Sequence, residues 1–93
     1  MKVTFLTRPG CHLCVEALTD LTAFLAARVA DATLPEPMPI DHEVVDIETD
    51  DELHRKYLER IPVILLDGEL VSEFAFDPEE FDAALNRRSQ GRA

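Results

Sequence analysis

The spacing of hydrophobic residues changes along the first third of the chain. The run from Lys2 to Leu6 predicts a strand buried on both faces, with Val3 and Phe5 on one face and Leu6 on the other. A Pro-Gly pair at 9–10 ends this run. From Leu13 to about Ala30 the apolar residues recur at helical spacing. This predicts a long helix with one buried stripe, formed by Cys14, Ala17, Leu18, Leu21, Phe24 and Leu25.

The middle of the chain predicts a connection, a strand and a short helix. Between Asp31 and Asp41 alternating prolines favour an extended connection, since they suit neither a helix nor a sheet ladder. His42 to Ile47 alternates as a strand does. Thr49 stands three residues before Glu52, the spacing of a capping box, so we expect the short helix to begin there and to run to about residue 58.

The last third predicts a hairpin followed by a helix. Val63 to Leu66 is a continuous apolar run, as in a central strand. Asp67-Gly68 then joins it to a second strand, Glu69 to Phe74, which is a strong hairpin signal. Asp77 precedes Pro78 as an N-cap residue precedes the first helical position. The buried face of this last helix is expected to consist of Phe81, Ala84 and Leu85.

The predicted element order is βαβαββα, which defines an α/β fold class. A parallel crossover followed by an antiparallel hairpin gives a mixed four-stranded sheet with helices on both faces. We expect one domain over residues 1–88 and a frayed tail over residues 89–93.

Composition narrows the choice of partners. The chain has 93 residues, of which 46% are hydrophobic, and its net charge is −10. Such an acidic chain is not expected to bind nucleic acid or anionic membranes, and at long range it repels small anions such as glutathione. The sequence has no apolar run of transmembrane length, and its N-terminus lacks a signal-peptide pattern, so we expect a cytoplasmic protein.

The chemistry of the chain is concentrated in its only two cysteines, Cys11 and Cys14. They stand where the first strand gives way to the long helix. Unpaired N–H groups and the helix dipole stabilise negative charge at that position, which favours the Cys11 thiolate. Cys14 lies on the apolar stripe, so we expect it to be the more buried thiol. A Cys-x-x-Cys motif in this context is typical of thioredoxin-like redox centres.

Two other interpretations of the cysteine pair stay open at this point. A structural zinc site needs four ligands, but His42 and His54 are isolated, and we predict no metal ligands. A purely structural disulfide would close so short a loop that it would constrain the unfolded chain very little.

The acidic residues between Asp46 and Glu52 are better explained as helix N-terminal residues than as a cation site.

Three local features resemble the thioredoxin superfamily, and in particular its glutaredoxin branch. They are the segment Arg8-Pro9-Gly10-Cys11-His12-Leu13-Cys14, the segment Arg60-Ile61-Pro62-Val63, and the hairpin Asp67-Gly68. The resemblance covers nearly the whole chain and implies a thioredoxin-like fold. The sequence is most similar to short bacterial glutaredoxin-like proteins. It departs from typical members at His12-Leu13, and Phe74-Ala75-Phe76 replaces the Gly-Gly pair that lines their glutathione site.

The resemblance implies a dithiol–disulfide oxidoreductase. In this interpretation Cys11 attacks the substrate disulfide and Cys14 resolves the intermediate. Pro62, expected in the cis form, and Ile61 dock the substrate strand, while Arg8 and His12 favour the thiolate and contact the substrate.

Partners and alternatives follow from the same resemblance. The expected partners are a protein disulfide or a glutathione mixed disulfide and a thiol reductant system, with glutathione as a candidate co-substrate, no bound cofactor and a monomeric chain. The missing Gly-Gly pair predicts weak use of glutathione. Two alternatives to the oxidoreductase function are a thiolate-based metal or iron–sulfur binding module and a non-enzymatic interaction domain.

Overall fold

A computed structural model describes residues 1–30 and 40–90 of the chain. In this part of the chain no helix has both the length and the apolar character needed to cross a membrane. The elements follow the predicted βαβαββα order, with one additional 3-10 turn. They are β1 (Lys2–Thr7), α1 (His12–Ala30), β2 (Asp41–Asp46), the 3-10 turn (Ile47–Thr49), α2 (Asp51–Tyr57), β3 (Val63–Leu66), β4 (Glu69–Glu73) and α3 (Pro78–Gln90).

The four strands form one mixed sheet in the order β2-β1-β3-β4. β1 pairs with β2 in parallel and with β3 in antiparallel orientation, and β4 pairs antiparallel with β3. Leu6, near the end of β1, lies opposite Val63, the first residue of β3. The segment that follows β1 and the segment that precedes β3 therefore meet at the same end of the sheet. This placement matters for the site described below.

Helices cover both faces of the sheet, as the sequence predicts. On one face Val3 and Phe5 join the buried stripe of α1 and the buried face of α3 in a single apolar cluster. On the other face Leu6 packs with residues of α2 and its flanking turns. Each large apolar side chain buried in this way contributes roughly 1.5–3 kcal/mol. The predicted core residues of α3, namely Phe81, Ala84 and Leu85, are all buried.

The β3–β4 hairpin turn and the N-cap of α3 both form at the residues that the sequence predicts. In the hairpin between β3 and β4, Asp67 and Gly68 have φ angles of 50° and 84°, the left-handed values that a tight two-residue turn requires. At the start of α3, the Asp77 side chain accepts hydrogen bonds from the backbone N–H groups of Glu79 and Glu80 at 3.0 and 3.3 Å. Both predictions are confirmed.

The predicted N-cap of the short helix is wrong by one residue. Asp50, not Thr49, caps α2: its carboxylate accepts the N–H groups of Glu52 and Leu53 at 2.9 and 3.2 Å. Thr49 belongs to the preceding 3-10 turn, where its hydroxyl donates to the carbonyl of Asp46 at 2.7 Å. Because the Thr49 hydroxyl is already bonded within the 3-10 turn, it does not cap α2, and the Asp50 carboxylate caps the helix instead.

Other boundaries differ by one or a few residues. β2 ends at Asp46, and the side chain of Ile47 is buried in the apolar cluster that contains Leu6, on the α2 face of the sheet. α3 continues to Gln90, so residues 89 and 90, which we expected in a frayed tail, are helical. Most of the predicted connection between Asp31 and Asp41, and residues 91–93, lie outside the described residues.

Candidate active site

Cys11 occupies the N-cap position of α1. The helix begins at His12, and the Cys11 carbonyl accepts its first hydrogen bond from the N–H of Val15 at 3.2 Å. The Cys11 Sγ accepts a second hydrogen bond, from the N–H of Cys14 at 3.1 Å. The sulfur thus takes the role that a hydroxyl or carboxylate oxygen has in an ordinary N-cap.

The surroundings of this sulfur favour negative charge. An N–H group points at it, and the positive end of the helix dipole lies beneath it. The first turn of α1, all of which is described, contains no acidic residue that would oppose the charge. These are the conditions under which a cysteine is held as the reactive thiolate.

The two cysteines differ in burial. They are joined in a disulfide with a Cα–Cα distance of 5.2 Å. Cys14 is only 2% exposed and belongs to the main apolar cluster, while Cys11 is partly exposed at its edge. The predicted asymmetry of burial is confirmed. The assignment of Cys11 as nucleophile and Cys14 as resolving thiol stays a prediction.

The segment Ile61-Pro62 lies at the same end of the sheet as the dithiol. The peptide bond between these residues is cis, as predicted, and Pro62 is fully buried. It precedes Val63, whose strand neighbour Leu6 comes five residues before Cys11. Ile61 and Cys11 both pack against the main apolar cluster. The topology therefore brings the two motifs of the sequence together.

Arg8 and Arg60, the basic residues of the two motifs, have acidic partners that the sequence analysis does not predict. Arg8 pairs with Glu48 at 3.3 Å, and both side chains are partly exposed. The Nε of Arg60 donates to Glu73 at 2.5 Å, and its guanidinium lies 5.2 Å from the centre of the Tyr57 ring. No local pattern relates residues 40 or 13 positions apart, so only the fold reveals these pairs. His12 is exposed at the first position of α1.

The segment that replaces the expected Gly-Gly pair is occupied by aromatic rings. Phe76 packs edge to face against Phe24 and Phe81, with ring centres 5.8 and 5.7 Å away. Phe74 is 53% exposed and has a φ of 70°. The sequence indicates the bulk of this segment, but it contains no signal for a left-handed phenylalanine.

Within residues 1–30 and 40–90, no group of three or more His, Cys, Asp or Glu side chains is arranged to hold a metal ion. In the acidic segment 46–52, the side chains of Asp46 and Asp50 bond to backbone N–H groups, and Glu48 pairs with Arg8. Asp46 accepts the N–H of Glu48 at 2.9 Å, and Asp50 caps α2. Their interpretation as helix N-terminal residues is confirmed.

Solved structures with this fold include thioredoxins and glutaredoxins. Protein Ne2328 from Nitrosomonas europaea is 24% identical with a TM-score of 0.67, over 89% of this chain and 88% of that one. Thioredoxin 1 from Thermosipho africanus is 16% identical with a TM-score of 0.58, over 96% and 99% of the two chains. Reduced Escherichia coli glutaredoxin is 22% identical with a TM-score of 0.51, over 97% and 99%. These likenesses confirm the thioredoxin-like fold.

The sequence itself matches one family over almost its whole length. The search of curated proteins found no match. The profile of the family described as Glutaredoxin-like domain (DUF836) matches residues 2–86, a range that includes both cysteines and the Ile61-Pro62 segment. The chain therefore belongs to the glutaredoxin-like domain family.

Proposed function

We propose that this protein is a glutaredoxin-like dithiol–disulfide oxidoreductase that acts on disulfides of proteins or small molecules. One observation carries the proposal: the Cys11 sulfur sits at a helix N-terminus and accepts the Cys14 N–H, while Cys14 lies within disulfide-bonding distance and is buried. A stabilised, accessible thiolate beside a shielded second thiol is what a two-step exchange reaction needs.

The reaction begins with the reduced protein. The Cys11 thiolate attacks one sulfur of the substrate disulfide, the substrate S–S bond breaks, and the leaving thiolate takes up a proton. Cys14 then loses its proton and attacks the Cys11 sulfur of the mixed disulfide. The second substrate thiolate leaves and is protonated. The substrate gains two electrons and two protons, and the protein retains the Cys11–Cys14 disulfide.

The docking of substrate is proposed for the Ile61-Pro62 segment. Ile61 is partly buried and contacts the main apolar cluster that Cys11 also contacts. An extended substrate backbone could add beside this residue as a strand adds to a sheet edge. Turnover requires an external thiol reductant, for which glutathione and a dithiol protein are the two candidates. A reducing compartment such as the cytoplasm would supply either, and the protein would contribute to thiol redox homeostasis there.

The proposal is tested by trapping the intermediate. The reduced Cys14→Ser variant, mixed with a disulfide-bonded peptide, is expected to accumulate a mixed disulfide at Cys11 that intact-mass spectrometry detects. Cys11→Ser is the matched control, because it keeps one thiol and should form no such adduct. Adduct formation by Cys11→Ser and not by Cys14→Ser would reverse the roles. Wild-type protein that reduces no disulfide, or that is purified with visible absorbance from a metal cluster, would contradict the proposed activity.

A further inference from the structure

Phe74 combines two unfavourable features. Its φ of 70° lies in the left-handed region, which is costly for a bulky side chain, and its ring is 53% exposed to water. Among the described residues the other non-glycine position with positive φ is Asp67, whose hairpin turn requires that conformation. Phe74 forms no such turn between strands. A strained and exposed aromatic residue suggests a role other than stability.

The strained backbone is held in place by the residues that lead to Pro62. The N–H of Phe74 donates to the carbonyl of Arg60 at 3.1 Å. The Arg60 side chain in turn bonds to Glu73, the last residue of β4, and lies over Tyr57. Phe74 is thereby fixed against the segment that opens β3.

This anchoring places Phe74 at the dithiol end of the sheet. β3 begins opposite Leu6, and the loop that carries Cys11 leaves β1 at that end. Leu13, inside the cysteine motif, is also exposed, at 58%. Phe74 and Leu13 are therefore exposed apolar side chains at the end of the sheet that carries the dithiol.

The two arginines next to the motifs are already paired with carboxylates, Arg8 with Glu48 and Arg60 with Glu73. A small anionic thiol such as glutathione needs unshared donors for its carboxylates. An apolar side chain of a polypeptide needs only a ring to pack against.

We propose that Phe74 is a specificity-determining residue that packs against an apolar side chain next to the cysteine of a polypeptide substrate. The inference rests on the proposed oxidoreductase function and names its substrate class: polypeptide disulfides flanked by an apolar residue. The backbone that carries the ring is fixed by a hydrogen bond and the ring is already exposed, so packing against it requires little ordering of the backbone.

The test compares three disulfides in stopped-flow reactions with the pre-reduced protein, which itself supplies the two electrons. Two are synthetic peptides that differ only in having Phe or Ser beside the disulfide-bonded cysteine, and the third is 2-hydroxyethyl disulfide. We expect the wild type to react about tenfold faster with the Phe peptide than with the Ser peptide. Phe74→Gly, whose backbone adopts positive φ freely, should reduce this preference to within about twofold. Its rate with 2-hydroxyethyl disulfide, which has no apolar residue to pack against the ring, should fall less than its rate with the Phe peptide.

Two further variants separate specificity from structure. Phe74→Tyr keeps a ring and should keep the preference. Leu70→Ala removes another exposed apolar side chain, 45% exposed on β4, and should also keep it. A preference that survives in Phe74→Gly, or an equal slowing with all three disulfides, would overturn the role of Phe74. A wild type that reacts with both peptides at the same rate would overturn the inference alone, whereas one that reduces no disulfide would overturn the proposed function as well.

Discussion

At the scale of single residues, Cys11 and Cys14 have opposite environments although they are three positions apart. Cys11 Sγ receives a backbone N–H at a helix N-terminus, and Cys14 is surrounded by apolar side chains. Burial in apolar surroundings disfavours a thiolate, whereas a helix N-terminus favours one. Because the thiolate is the reactive form, the reduced protein should show strongly unequal thiol reactivity.

We expect limiting iodoacetamide near neutral pH to modify Cys11 at least about tenfold faster than Cys14 in the reduced protein. Peptide mapping by mass spectrometry after a short labelling time gives the ratio. Labelling of the urea-unfolded chain is the control, since both thiols should then react alike. Equal or faster labelling of Cys14 in the folded protein would show that the nucleophile is assigned to the wrong residue.

The ion pair between Arg8 and Glu48 gives a second prediction at this scale. If the positive charge of Arg8 stabilises the Cys11 thiolate, the negative charge of Glu48, which pairs with Arg8, offsets part of that stabilisation. Glu48→Gln should therefore raise the alkylation rate of Cys11 severalfold at low salt, and less at high salt, because salt screens partly exposed charges. Glu43→Gln is a control of equal charge change, since Glu43 pairs with Lys2 at the other end of β1. No difference between the two variants would mean that Arg8 is only a surface charge.

At the scale of secondary structure, the sequence predicts the elements whose signals are local and agree with one another. The stripe of α1, the Asp67-Gly68 turn and the cap at Asp77 each depend on residues within a few positions, and each is confirmed. The prediction of the α2 cap is wrong because two neighbouring polar side chains, Thr49 and Asp50, can both act as an N-cap. The outcome depends on the 3-10 turn, which ends at Thr49 and which the pattern does not predict.

The same limit applies to the candidate site. The cysteine pair and the Ile61-Pro62 segment could be recognised from the sequence because each is a short motif of neighbouring residues. The partners of Arg8 and Arg60 could not, because sheet pairing and helix packing bring them together from distant positions. The left-handed backbone of Phe74 also depends on a long-range hydrogen bond, to Arg60.

The corrected cap of α2 can be tested by stability measurements. Asp50→Ala removes the acceptor of two backbone N–H groups and should lower the free energy of unfolding by about 1 kcal/mol. Thr49→Ala removes one hydroxyl bond in the preceding turn and should cost less. Urea denaturation of both variants gives the comparison. A larger loss for Thr49→Ala would restore the original assignment of the cap.

At the scale of the whole molecule, charge decides how partners approach. The chain carries a net charge of −10, so the field around it repels small anions. Arg8 and Arg60 offset little of this near the dithiol, since carboxylates pair with both. The aromatic segment 74–76 also fills the place where the family resemblance puts a glutathione-lining Gly-Gly pair. Electrostatics and shape therefore oppose glutathione together.

We accordingly expect slow reaction with glutathione mixed disulfides, and a rate that rises with salt. The Debye length falls from about 30 Å at 0.01 M to about 10 Å at 0.1 M salt, which screens long-range repulsion. The measurement is the second-order rate of the reduced protein with one peptide carrying either glutathione or the cationic thiol cysteamine on its cysteine. The cysteamine adduct is the matched control, and its rate should fall over the same salt series. Rates with the glutathione adduct that equal those of an ordinary dithiol glutaredoxin and do not change with salt would contradict the prediction. They would mean that local contacts at the dithiol outweigh the field of the whole molecule.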